Sequence, residues 1–114
     1  MAQESFGDYT MAKRAAGSAG LTDGEEDISG GVEAAVGDVS AFTLYLGVST
    51  ATAVDVQVVL SPDDGTNWYE PEESPVTFTS GDESAVEHIR YNASRIRLKG
   101  SNATPVKAQL REVV

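Results

Sequence analysis

The stretch VDVQVVLSPDDGTNWY, residues 54–69, decides the fold. Val54, Val56, Val58 and Leu60 alternate with Asp55, Gln57 and Val59. A period of two sends successive side chains to opposite faces, so this is a strand with one buried face. The run Ser61-Pro62-Asp63-Asp64-Gly65-Thr66-Asn67 follows it. Pro presets one dihedral, Asp bonds its own backbone and Gly accepts positive φ, so the chain turns here. Trp68 and Tyr69 come directly after. The expectation is a hairpin that folds back and sets Trp68 over the core as its central aromatic.

Strand signals continue on both sides. Phe42, Leu44, Leu46 and Val48 alternate with Thr43, Tyr45 and Gly47. Residues 32–36 form a short candidate strand before them. Pro71 and Pro75 exclude residues 70–75 from a central strand, because Pro lacks the ladder donor. Short strands are then expected at 76–80, 85–91, 95–99 and 106–111, with Gly81-Asp82-Glu83-Ser84 and Gly100-Ser101-Asn102 as turns. Many short strands with regular turn signals, and no helix of ordinary length, indicate an all-β protein. The expected architecture is an antiparallel, jelly-roll-like β-sandwich of about seven or eight strands.

Residues 1–31 read differently. Gly7, Gly17, Gly20, Gly24, Gly30 and Gly31 recur, and Gly24-Glu25-Glu26-Asp27 is an acidic run. Such a segment cannot order itself by burying its own surface. It is expected to be an extended N-terminal arm held by a neighbouring subunit, with the sandwich domain spanning residues 32–114.

Composition bounds the chemistry. With 114 residues and a net charge of −10 the chain is one acidic domain. Few Lys, many acids and small aliphatic residues suit a high-salt cytoplasm, where screening relieves self-repulsion. No cysteine and a single His leave no disulfide, no thiolate nucleophile and no multi-His metal site, so neither metal nor cofactor is expected. No apolar run approaches the ~20 residues of a membrane span. The first twenty residues lack the apolar core of a secretory signal. His88 has no oxyanion or nucleophile-elbow motif beside it, so no catalytic residue is expected. The Asp63–Asn67 turn offers oxygen ligands for a hard cation, but lacks the full calcium-loop pattern and reads better as a hairpin turn.

Charge is unevenly placed. Residues 90–114 hold six cations and one acid, a net of +5, while residues 1–89 hold two cations and 17 acids, a net of −15. If the strands at 95–99 and 106–111 pair as a hairpin, Arg95, Arg97, Lys99, Lys107 and Arg111 share one sheet face. Like charges across strands are unfavourable, so acids within the chain or on a partner should meet them. Nucleic acid is not expected there, because no stacking aromatic is interleaved. Asn92-Ala93-Ser94 and Asn102-Ala103-Thr104 are both glycosylation sequons. Trp68, Tyr69 and Tyr45 are the aromatics available for a sugar-stacking platform.

The succession of an alternating strand, SPDDGTNW, VTFT and ASRIRL, over residues 42–110, resembles small β-sandwich structural proteins of tailed phages and tailed haloarchaeal viruses. That resemblance implies a non-enzymatic virion component, assembled in the host cytoplasm. It would be a homo-oligomeric head-decoration, turret, neck or tail protein that docks on the major capsid or other virion proteins. The same Ser-x-x-Asp-Gly-x-x-Trp pattern with a later Arg-Ile-Arg-Leu strand also resembles discoidin-type carbohydrate-binding domains, which implies a glycan partner instead.

Overall fold

A computed structural model describes residues 21–22, 24–36, 41–50, 52–79 and 81–112. Eight strands follow in order: β1 Glu26–Asp27, β2 Val32–Ala35, β3 Phe42–Val48, β4 Val54–Ser61, β5 Val76–Phe78, β6 Glu83–Ile89, β7 Arg95–Gly100 and β8 Pro105–Glu112. They form two four-stranded antiparallel sheets, ordered β1-β8-β3-β6 and β2-β7-β4-β5. Apart from β4 to β5, every link between consecutive strands crosses from one sheet to the other. This is the eight-stranded jelly roll.

Alternation accounts for the core. Phe42, Leu44, Leu46 and Val48 point inward from β3, and Val54, Val56, Val58 and Leu60 point inward from β4. Ile96 and Leu98 from β7, and Val106, Ala108 and Leu110 from β8, complete the two inner faces. Each fully buried Val or Leu contributes roughly 1.5–3 kcal/mol, so these central strands carry most of the fold's stability. The strands at 42–48 and 54–60 lie where the alternation puts them. The strand expected at 85–91 runs instead from Glu83 to Ile89, taking in two residues expected in the turn before it, with Ile89 buried in the core and Ala85 packed against it.

Two expectations are corrected. The first concerns the boundary at residue 32. Ile28 is 1% exposed and lies within the core. Its carbonyl accepts hydrogen bonds from Gly31 N at 2.9 Å and Gly100 N at 3.0 Å. Just before it, β1 pairs with β8 through Glu26↔Val106 and Asp27↔Pro105. Upstream again, Thr22 N donates to Ala108 O at 3.2 Å, and Ala108 N donates to Thr22 Oγ1 at 2.8 Å. The sandwich therefore includes residues 21–22 and 24–31. A lone apolar residue among glycines and acids gives no periodicity, so the segment resembles a tail. Residues 1–20 of the expected arm lie outside the described residues.

The second correction concerns the hairpin of β7 and β8. β7 lies between β2 and β4 in one sheet, and β8 lies between β1 and β3 in the other. The link between them is anchored to the start of β4: Ser101 N donates to Asp55 O at 2.9 Å and Asn102 Nδ2 to Ala53 O at 2.7 Å. Direct pairing would have set cation against cation. Here Lys99 faces Gln57 and Arg97 faces Val59, while Lys107 faces Gly47 and Arg111 faces Thr43.

Candidate functional site

The five nominated cations thus divide between opposite outer surfaces of the sandwich. On the β2-β7-β4-β5 side, Arg95 Nε meets Glu33 Oε1 at 3.3 Å and its Nη1 meets Asp64 Oδ1 at 3.7 Å. Arg97 lies over the Trp68 ring, 4.5 Å from its centroid. Lys99 is exposed opposite Gln57. On the other side, Lys107 and Arg111 are exposed beside Tyr45 and Val86, which are 43% and 61% exposed.

Trp68 is half-buried and outside the buried core, which corrects its expected role as the central core aromatic. Leu60 and Tyr69 do bridge as a hairpin, with Leu60 N to Tyr69 O and Tyr69 N to Leu60 O both 2.8 Å. Trp68 precedes the bridging residue, and its ring lies over the outward guanidinium of Arg97. The interior is filled by aliphatic residues and by Phe42 and Phe78.

The Asp63 turn satisfies itself. Asp63 Oδ1 accepts from Asn67 N at 2.8 Å and from Ser61 Oγ at 2.9 Å, and its Oδ2 accepts from Asn67 Nδ2 at 2.6 Å. The side-chain bond from Asn67 is the main reason its pKa is lowered, with the Asn67 backbone bond next. Gly65 N donates to Ser61 Oγ at 2.7 Å. The backbone turns through left-handed Asp64 and Gly65, at φ of 57° and 94°. Among the described residues no group of acidic and His side chains has metal-site geometry. His88 Nδ1 lies 3.2 Å from Thr43 Oγ1 on an exposed surface.

Two loops at one end of the sandwich are joined by serines. Ser94 N and Ser94 Oγ donate to Ser61 O at 2.8 and 3.0 Å, and Asp64 N donates to Ser94 Oγ at 2.8 Å. This sets the β6–β7 connection against the β4 turn. A surface cleft of about 330 Å³ opens there, lined by Leu60, Pro62, Tyr69, Glu70, Pro71, Glu72, Tyr91 and Asn92. Tyr69 is 61% exposed and Tyr91 39% exposed, so their rings are available as walls.

Glu70 is positioned by the strand beneath it. β5 pairs with β4 only at residues 54–56, which leaves the Val58 amide without a ladder partner on that side. Val58 N donates to Ser74 Oγ at 2.8 Å, and Ser74 Oγ donates to Glu70 Oε2 at 2.5 Å. The charge of Glu73, then burial, then the charge of Glu72 raise the Tyr91 pKa, with a hydrogen bond to Glu73 as a smaller cause. The cleft therefore combines two tyrosine rings, the carboxylates of Glu72 and of an oriented Glu70, and the Asn92 amide. Only Tyr69 of these was an aromatic candidate in the sequence. Tyr91, Glu70 and Glu72 carry no local signal, since a loop contact brings them together.

The two sequons differ. Asn92 is exposed on the cleft rim. Asn102 has its amide nitrogen bound to Ala53 O, its oxygen accepts from Thr104 N at 2.9 Å, and Thr104 itself is buried.

No protein-family profile matches this sequence, and no curated protein matches it. Among solved structures, a family 29 carbohydrate-binding module from Piromyces equi aligns with a TM-score of 0.48 at 15% identity, over 74% of this chain and 62% of its own length. Chitosan-binding module 1 from a chitosanase/glucanase of Paenibacillus sp. IK-5 aligns with a TM-score of 0.45 at 18% identity, over 92% of this chain and 86% of its own. The chain thus spans less than two thirds of the Piromyces module's length. At these values the likeness is one of sandwich layout and does not bear on what the chain binds.

Proposed function

We propose that this chain is a non-catalytic carbohydrate-recognition module whose sugar sits in the cleft between Tyr69 and Tyr91. The carrying observation is the pair of exposed tyrosines at the walls of a cleft with carboxylates and an amide at its rim. A pyranose offers an apolar C–H face and a ring of hydroxyls. Tyrosine rings cover the first, and Glu70, Glu72 and Asn92 accept from or donate to the second. The platform of Trp68, Tyr69 and Tyr45 is replaced in this reading, because Trp68 is covered by Arg97 and Tyr45 lies on the opposite sheet. Glycan-array screening followed by calorimetry tests it. Tyr69→Ala and Tyr91→Ala should each weaken binding about tenfold or more, with the circular dichroism spectrum retained. Binding indifferent to both substitutions would overturn the cleft as the site.

The second reading is a virion structural protein of capsid-decoration, turret, neck or tail type. What favours it is the surface where Lys107 and Arg111 stand beside exposed Tyr45 and Val86 without an ion pair among the described residues. An acidic surface on a second copy or a shell protein would complement that face. Light scattering of the Lys107→Ser/Arg111→Ser variant decides this: a larger mass for the native chain that falls on substitution supports it, and a monomer in both cases counts against self-association.

A further inference from the structure

Three properties of the cleft bear on the charge of its ligand. First, its acids and the adjacent Glu73 have no ion-pair partner among the described residues. Arg95 takes Glu33 and Asp64, and no cation among the described residues pairs with Glu70, Glu72 or Glu73. Second, the negative charge is held in place. Glu70 is anchored by Ser74, and the charge of neighbouring Glu73 is the main cause of the raised Tyr91 pKa. Third, the walls are tyrosine faces, which attract cations through their ring quadrupole. A neutral sugar would use the walls and leave the charge unanswered. A protonated amine would answer both, by charge-assisted hydrogen bonds to the carboxylates and by lying against a ring.

We infer that the cleft selects a glycan carrying a protonated amine, an amino sugar with a free ammonium group, over neutral or N-acetylated sugars. This rests on the carbohydrate reading of the same cleft. The ammonium would lie between Glu70 and Glu72, with the sugar's apolar face on Tyr69 or Tyr91. Acetylation removes the charge and adds bulk, so the same sugar should then lose the advantage.

The test titrates the full chain with three trisaccharides, of glucosamine, of N-acetylglucosamine and of glucose. It is run at about pH 6, at low and at high salt. Calorimetry gives affinity, and amide shifts locate the site. The glucosamine trisaccharide should bind about tenfold tighter than the other two at low salt, shift the Tyr69 and Tyr91 amides, and lose its advantage at high salt. Glu70→Gln keeps an acceptor for Ser74, and it and Glu72→Gln should abolish the preference while leaving residual neutral binding. Equal affinity for all three sugars, unaltered in the glutamine variants, would overturn the ammonium preference and leave the carbohydrate reading standing. No binding of any sugar would overturn both. A salt-sensitive rise in mass without sugar binding, reversed by Glu72→Gln, would also overturn both, with cations of a second copy as the occupant.

Discussion

Ile28 shows how much a single residue can matter in a stretch that reads as solvent-exposed. Acids and glycines flank it, yet its side chain lies in the core and its carbonyl bonds to the β7 end. A Cβ on Gly100 would lie 3.3 Å from Ile28 Cγ1 and 3.2 Å from Asn102 O, so close packing there relies on glycine. Ile28→Ala should cost about 2–5 kcal/mol, the range for truncating a buried aliphatic, and comparable to Leu44→Ala. Urea denaturation measures both, and a loss below half of that found for Leu44→Ala would mean that Ile28 is not part of the working core. Trp68 is the complementary case. Its neighbour Tyr69 forms the bridge to β4, and the indole lies over Arg97 on the outside. Because it is the only tryptophan, its fluorescence reports this contact alone. Arg97→Ala should red-shift the emission and cost about 0.5–1 kcal/mol, typical of an exposed cation–π pair. Size and hydrophobicity argued for an interior Trp68. The partner that settles it outside, Arg97, is far away in sequence on β7.

Among the elements, the turn between β4 and Tyr69 was the most readable from sequence and is the most self-contained. Pro62, the Asp63 carboxylate, Asp64 and Gly65 play the parts their chemistry assigns. Its pH dependence has a definite sign. Hydrogen bonds lower the pKa of Asp63 in the folded chain, below its ordinary value of 3.8. The stability it supplies is therefore fully present above the unfolded value and is lost as pH falls through the lower folded value. Asp27, lowered mainly by the Ser29 side chain, behaves likewise at β1. Thermal midpoints of the native chain and Asp63→Ala should differ by a constant amount near neutrality and converge below about pH 4. A difference that persists at lower pH would show that the ionised carboxylate is not what closes the turn. The loop-to-loop contact was not readable in this way. Ser61 and Ser94 are ordinary polar residues until the fold brings them together. Ser94→Ala should loosen the cleft, so that sugar affinity falls more than global stability does.

At the scale of the molecule, topology distributes charge. Five cations concentrated late in the sequence become two groups on opposite faces, one of them largely matched by Glu33, Asp64 and Trp68. Association through a single basic sheet is therefore not available to this fold. The domain boundary also moves. Removal of residues 1–31 deletes β1 and Ile28 and should unfold the sandwich or lower its melting point steeply, whereas removal of residues 1–20 spares every described core residue. Equal melting points for the two truncations would refute this boundary.

For the central strands identity and facing were legible in advance, and the reason is local. The direction of Cβ alternates along any extended backbone, so Phe42–Val48 and Val54–Ser61 declare their buried faces in their own residues. Turn chemistry is local too, and the Asp63 loop follows from it. Which sheet each strand joins is set by contacts between distant residues, and the same alternation in β7 and β8 fits a hairpin or a crossover equally well. The cleft depends on such contacts throughout. Tyr69 and Glu70 follow β4, while Tyr91 and Asn92 follow β6. Only the packing of two loops makes them one surface, because binding chemistry depends on distance in space and the period of a strand does not record it.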